Sequence, residues 1–416
     1  MFSQTIKALQ PISVFNKLSP EERQPFMTYS GSANGWAKIL AFDPLNSFRI
    51  KSSDEIDAFY QFVEQHRGKL IAGYINYDLG YSLHGIKKTI PEKLKLPLIQ
   101  FAAYDDFLEF RSHETKVHFT KDTFLEKLES IRQRRGINVS EIQPYNFSVQ
   151  LKQSKYQQNF EKVIRYIKAG DIYQINYTHF MQAESEQHGR VLFSNFLNTN
   201  PVNFAAYWEL PDISIISLSP ESFISIKDRQ VITCPIKGTR PRGKTAEEDR
   251  IMKQQLLASQ KEQAELNMIT DLLRNDLGKV SKIGTVRVVH KKRLQTLAGV
   301  FHTYSKIRSE LRDNISGVEA LISMFPGGSV TGCPKKRAME IIDEIEVNSR
   351  GIYTGCIGYI LPNQNMEFNI AIRTIVKQAN QLYLGVGGGI TIESKMAEEF
   401  DETLAKAQSF LKKMKS

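Results

Sequence analysis

Apolar positions recur along this chain with two periods. At Phe160, Val163, Ile164 and Ile167 the spacing is three to four residues, which predicts a helix that begins near Tyr156 and is stopped by Gly170. Residues 70–77, 172–180, 214–217, 223–226 and 381–385 are short apolar runs bounded by turn residues and predict strands. Two longer helices are predicted. One covers about 249–277 and ends at Gly278, where glycine suits a helix C-terminus; the other covers about 395–414. Ser394 is placed to cap the second, and Met396, Phe400, Leu404, Ala407 and Leu411 are spaced as its buried stripe. Helices and strands do not alternate as βαβ units, so the pattern predicts an α+β fold with antiparallel sheets. Turn-rich stretches at 30–35 and 91–97 punctuate an N-terminal region, 1–145, and Gln143-Pro144-Tyr145-Asn146 marks its boundary with a region covering 150–416.

Composition narrows the class. With 41% hydrophobic residues in 416, the chain is too apolar for a disordered protein. No run of about 18 uncharged apolar residues is present, which argues against a transmembrane helix. The N-terminal MFSQTIKALQPISVF lacks the apolar core of a signal peptide, so a cytoplasmic protein is expected. Cys234, Cys333 and Cys356 have neither disulfide nor zinc spacing and read as small buried residues. The net charge of +10 suits a small dianion as well as a nucleic acid, but the basic runs at 87–88, 291–293 and 412–413 are short and lack interleaved aromatics.

Two glycine-rich segments invite a nucleotide reading and fail it. Gly327 to Gly332 is followed by Cys333-Pro334, not by the Lys-Ser/Thr of a phosphate loop, and Gly385 to Ile390 lacks the third glycine of the dinucleotide fingerprint. Each is either a tight turn or a place where backbone N–H groups meet an anion. Glu262 and Glu265, and again Glu399 and Glu402, are i,i+3 pairs on the predicted helices. They are solvated helix faces unless the fold brings the pairs together, in which case four carboxylates suit a hard divalent ion. PIKGTRPRG (235–243) sets Lys237 before Arg240 and Arg242. A lysine held among cations and partly desolvated becomes a nucleophile at neutral pH. The arginines can equally be anion ligands, or the segment a surface loop. Upstream, Glu221 stands just before a strand and by itself reads as a turn residue.

The ordered segments SPESF, PIKGTRPRG, EQAELNMITDLLRNDLGKV, FPGGSVTGCPKKRAMEIIDEIE, GIYTGCIGY, FNIAIRT, GVGGGI and EEFDETLAKA resemble the chorismate-utilising enzyme family over about residues 155–410. GYINYDL (73–79) and AGDIYQIN (169–176) resemble its amidotransferase-linked members. The resemblance implies one α+β unit of two antiparallel β-sheets packed as a sandwich with outer helices, its N-terminal and catalytic regions intertwined. It implies Lys237 as a nucleophile that attacks C2 of chorismate and Glu221 as the acid that assists departure of the C4 hydroxyl, a contribution of about 10²- to 10⁴-fold. It implies Mg2+ held by Glu265 and Glu402, with Glu262 and Glu399 acting through water. Arg373 and Lys406 would bind substrate carboxylates, Tyr353 would line the pocket, Thr331 and Gly332 would contact substrate, and Gly387, Gly388 and Gly389 would offer N–H donors. A lysine at position 237 marks the branch that aminates C4 and feeds 4-aminobenzoate and folate synthesis; anthranilate synthases usually carry alanine there.

Two departures stand out. Thr296 is read in place of a family histidine found in an HxVS-like segment, and the LLES-like regulatory segment is absent, with residues 29–33 in its general region, so no tryptophan feedback is expected. No cysteine lies in a glutaminase pattern and no lyase extension follows Ser416, so ammonia is expected from solution or from a separate glutaminase subunit. The other readings are anthranilate synthase, which Lys237 opposes, an isochorismate or salicylate synthase, a catalytically dead binding subunit suggested by Thr296, and a nucleic-acid-binding protein.

Overall fold

The structure, a computed structural model, describes residues 1–31, 35–139, 145–296, 300–407 and 410. Expectations at Ser32, Ala33, Gln143, Pro144, Leu297 to Gly299, Leu411 and the 412–413 lysines therefore lie outside the described residues. Among the described residues every strand pairing is antiparallel. One sheet has 12 strands and runs from Phe2–Lys7 at one edge, through Phe26–Tyr29, Phe204–Glu209, Ile213–Ser219, Thr374–Gln378, Gln381–Ile390 and Gln174–Glu184, to Gly332–Cys333. The second has 10 and runs from Ile236–Pro241 through Val300–Glu310, Ser222–Lys227, Met366–Ile370, Cys356–Ile360 and Leu70–Ile75 to Asn46–Ile50. The expected α+β sandwich is therefore present. Strands from before residue 120 extend both sheets, joined at Ala205↔Tyr29 in one and Cys356↔Ile75 in the other.

Side chains from both sheets share one layer. Phe26, Ile39, Trp208 and Ile215 of the first pack with Ala72, Tyr74, Tyr104 and Ile357 of the second. The buried Trp208 indole donates to Tyr104 Oη at 3.1 Å, and Tyr104 donates to the Gln24 carbonyl, so these aromatic groups bury area without orphaning their polar ends. The outer faces are covered by helices: Ile56–Gln65 and Gln260–Gly278 on the second sheet, Gly189–Thr199 and Thr123–Gln133 on the first. None of the described helices is long and apolar enough to cross a membrane.

The predicted 249–277 helix is two helices, Ala246–Ala258 and Gln260–Gly278. Ser259 breaks it with ψ 114°, and its hydroxyl accepts the Glu262 N–H at 3.3 Å as an N-cap. Leu256 is the one fully buried residue of the first piece, so a straight continuation would have gained little burial. The described C-terminal helix is Met396–Ala407, with Phe400 and Ala407 buried. Ser394 does not cap it by its hydroxyl, which accepts from Thr391 N–H and donates to Glu399 Oε1 at 2.6 Å. The helix at Gln153–Lys168 ends as expected, with Gly170 at φ +81°.

Candidate active site

The chain crosses from the first sheet to the second between Ile213–Ser219 and Ser222–Lys227, and back between Met366–Ile370 and Thr374–Gln378. Glu221 lies in the first crossing and Arg373 in the second, stitched by the Leu218 N–H to the Arg373 carbonyl at 2.8 Å and the Ile370 N–H to the Glu221 carbonyl at 3.1 Å. Glu221 is 5% exposed. Burial pushes its carboxyl up to about 7, against the lowering effects of a Ser329 hydroxyl hydrogen bond, the Lys237 charge and the Ile236 N–H. It is therefore no surface turn residue: near neutral pH it can give up or hold a proton.

Lys237 sits on Ile236–Pro241, where the ladder to Val300–Glu310 shifts register between Lys237 and Thr239. Gly238 makes that bulge with φ +79°, and a Cβ there would stand 2.9 Å from Glu262 Oε2. The expectation that Lys237 is surrounded by cations does not hold. Arg240 pairs with Glu262 at 2.7 Å, and Arg242 grips Asp249 with two donors. The charges that act with Lys237 are those of Glu221, Glu265 and Glu402. Gly389 faces it from the other sheet: a Cβ on Gly389 would lie 3.5 Å from Lys237 Nζ and 2.4 Å from Gln174 Nε2. Its strand pairs with Thr374–Gln378 only as far as Leu384 and keeps a single neighbour from Gly385 on, so within Gly387 to Gly389 the alternate backbone groups that point away from Gln174–Glu184 have no strand partner and can meet a ligand.

Two groups of positive charge flank this corner. Arg373 is at φ +48°; its guanidinium has no hydrogen-bond or ion-pair partner among the described residues, and burial lowers its proton affinity. A charge held there without a counter-ion is costly and suits an incoming carboxylate. Lys406 bridges Glu402 at 2.7 Å and the Gly387 carbonyl at 2.8 Å. Tyr353 is buried, its ring against Gly385 and edge-on to Phe180, two residues along the strand from Gly387. Thr331 is wholly buried and donates to the Gly327 and Gly328 carbonyls, which closes the turn that presents Ser329; Gly332 pairs with Ile175.

A model of the chorismate binding enzyme family matches residues 21–412. The chain belongs to that family. It is 34% identical over 381 residues to the aminodeoxychorismate synthase component 1 of Bacillus subtilis (strain 168), covering 88% of this chain and 81% of the relative. It is also 34% identical over 448 residues to an anthranilate synthase component 1 of Haloarcula marismortui, covering 98% and 89%. The crystal structure of anthranilate synthase component I from Streptococcus pneumoniae TIGR4 superposes with a TM-score of 0.80 at 26% identity over 97% of each chain. Two product types thus lie at equal identity.

In this family member the glutamates divide. Glu265 and Glu402 act on each other and on Lys237 and Lys261, with the buried Glu399 beside them. Burial raises Glu265, with Glu399 and Glu402 adding to it, whereas Lys406 holds Glu402 low despite its partial burial. Glu262, expected to reach a metal through water, accepts from Arg240 on Oε1 and has its buried Oε2 without a partner among the described residues. Oxygen donors that repel one another fit a hard divalent ion; as their side chains stand, no three acidic, histidine or cysteine groups among the described residues enclose one.

Thr296 is an exposed strand end, whereas an imidazole does stand at this corner: His302, at the head of His302-Thr-Tyr-Ser305, which has an HxxS spacing of its own. It is 2% exposed, with Nδ1 2.8 Å from Thr239 Oγ1 and Nε2 without a partner. Burial and the Arg373 charge push it down to about 4, so it is neutral at physiological pH. The HxxS spacing could have located it. Ser329 and Gln174 were inside quoted segments but singled out by nothing in their spacing; Gln174 is 1% exposed with Oε1 unpartnered.

Proposed function

We propose that this chain is an aminodeoxychorismate synthase component I, which aminates chorismate at C4 with ammonia. The observation that carries the reading is a lysine, Lys237, in the same pocket as a buried carboxyl poised near neutrality, Glu221. The Lys237 amine attacks C2 while the ring double bond shifts and the C4 hydroxyl leaves as water, taking its proton from Glu221. Ammonia then attacks C4, the double bond returns, and the lysine is expelled from C2, giving 4-amino-4-deoxychorismate. Arg373 and Lys406 receive the carboxylates of the dianion, and the Gly387 to Gly389 backbone orients it. Glu265, Glu399 and Glu402 are the carboxylates for Mg2+, which when bound supplies positive charge against the ring carboxylate. Ammonia comes from a separate glutaminase subunit, in keeping with relatives named as component 1.

Equal identity to an anthranilate synthase component 1 supports a second reading, amination at C2. Purified protein with chorismate, Mg2+ and ammonium, analysed by mass-coupled chromatography with and without an aminodeoxychorismate lyase, separates the two. Formation of 4-aminobenzoate only when lyase is added is the expected result. Anthranilate would establish the second reading, and untouched chorismate would contradict both.

A further inference from the structure

The first turn of Gln260–Gly278 carries Lys261 between the two glutamate pairs. Its ammonium lies 3.3 Å from Glu399 Oε1, and Glu265 and Glu402 also act on it. Of the groups that face one another, Glu265, Glu399 and Glu402 are matched in number by Lys237, Lys261 and Lys406, while Glu262 is engaged by Arg240. A divalent ion entering so balanced a cluster meets like charge at close range unless a lysine withdraws.

The three lysines differ in how readily they can withdraw. Lys406 bonds both Glu402 and the Gly387 carbonyl, and Lys237 is half-buried on a strand against Gly389. Lys261 has one long contact, a side chain 38% exposed and a flexible four-carbon stem that can carry its charge to water. Glu399 does not depend on it for position, because Ser394 donates to the same Oε1 at 2.6 Å.

We propose that Lys261 is a resident counter-cation of the metal cluster: it neutralises Glu399 and its neighbours until a divalent ion takes them, then swings outward, so that its charge sets how tightly the ion binds. The inference rests on the assignment of Mg2+ to Glu265, Glu399 and Glu402 made above.

Binding of Mn2+, used as a paramagnetic stand-in for Mg2+, can be followed on the chelator-stripped full chain through the resonance of the free ion. Lys261→Met is expected to bind Mn2+ about tenfold more tightly than the unaltered chain, the effect of removing one partly screened like charge. Lys261→Arg keeps the charge and is expected to show no tightening. Disruption of the fold weakens an ion site, so tighter binding cannot come from structural damage; Lys261→Gln serves if the methionine variant does not fold. Equal Mn2+ affinity with and without the Lys261 charge, in folded proteins, overturns the counter-cation role alone. Failure of the unaltered chain to bind Mn2+, with no change in Glu265→Gln, overturns the metal assignment and this inference with it.

Discussion

At the scale of the residue, Glu221 is the group whose state depends most on where the chain puts it. Its carboxyl is raised from 4.5 to about 7 by burial, so the folded protein holds that proton more firmly than the unfolded chain. The associated stability is fully present below pH 4.5 and is lost as pH rises through about 7. At about 1.4 kcal/mol per pKa unit this is about 3 kcal/mol across the window. Glu221→Gln should lack that decline: relative to the unaltered chain, its urea-unfolding free energy is expected to improve by about 2–3 kcal/mol from pH 4 to pH 8. If the two pH profiles run parallel, the carboxyl is not held protonated by burial. The same raised value gives the activity an alkaline limb. At a fixed concentration of free ammonia, loss of the acid form is expected to bend the pH profile of C4 amination downward above about pH 7. Lys237→Ala is expected to lower C4 amination by about 10³-fold or more, as removal of an activated nucleophile does elsewhere; aminodeoxychorismate formation at the unaltered rate would remove Lys237 from the mechanism.

At the scale of the element, the site depends on close approach between one strand of each sheet. The bulge at Gly238 re-aims Ile236–Pro241, and Gly389 lets the opposite strand come up to Gln174 and Lys237. Gly389→Ala would place a methyl 2.4 Å from Gln174 Nε2. Displacing that buried amide is expected to cost about 1–3 kcal/mol in thermal unfolding and to raise the KM for chorismate. An unchanged KM would show that the Gly389 backbone does not meet the substrate. Helix boundaries matter for the same reason. The break at Ser259 starts a new helix whose first turn brings Lys261 and Glu262 toward the sheet ends, whereas one unbroken helix would have carried them elsewhere. The 3.6-residue spacing was visible through this whole stretch, but a serine inside a polar run gave no reason to expect a stop.

At the scale of the whole molecule, the shared layer around Trp208 makes the two sheets one cooperative body. The indole packs edge-on against Phe26 of its own sheet at 6.3 Å and Tyr74 of the other at 6.0 Å. Trp208→Ala is expected to lose about 3–5 kcal/mol, and near-UV circular dichroism and activity should disappear together in one urea transition. Two separated transitions would mean that the sheets unfold independently. Strand and helix types and an α+β fold with antiparallel sheets were legible in the sequence, because apolar period is a local property; the sandwich was implied only by the resemblance that the ordered motifs carry. Sequence alone could not tell which charges would meet. Arg240 and Arg242 follow Lys237 within five positions and yet serve Glu262 and Asp249. Glu221 reads as a turn residue until two sheet crossings close over it, and the buried imidazole beside the site, His302, comes from a strand whose motif was not singled out. Proton affinity, charge balance and burial are set by neighbours that arrive from distant parts of the chain through the pairing of strands. Only the tertiary structure decided those, and with them the chemistry this corner can perform.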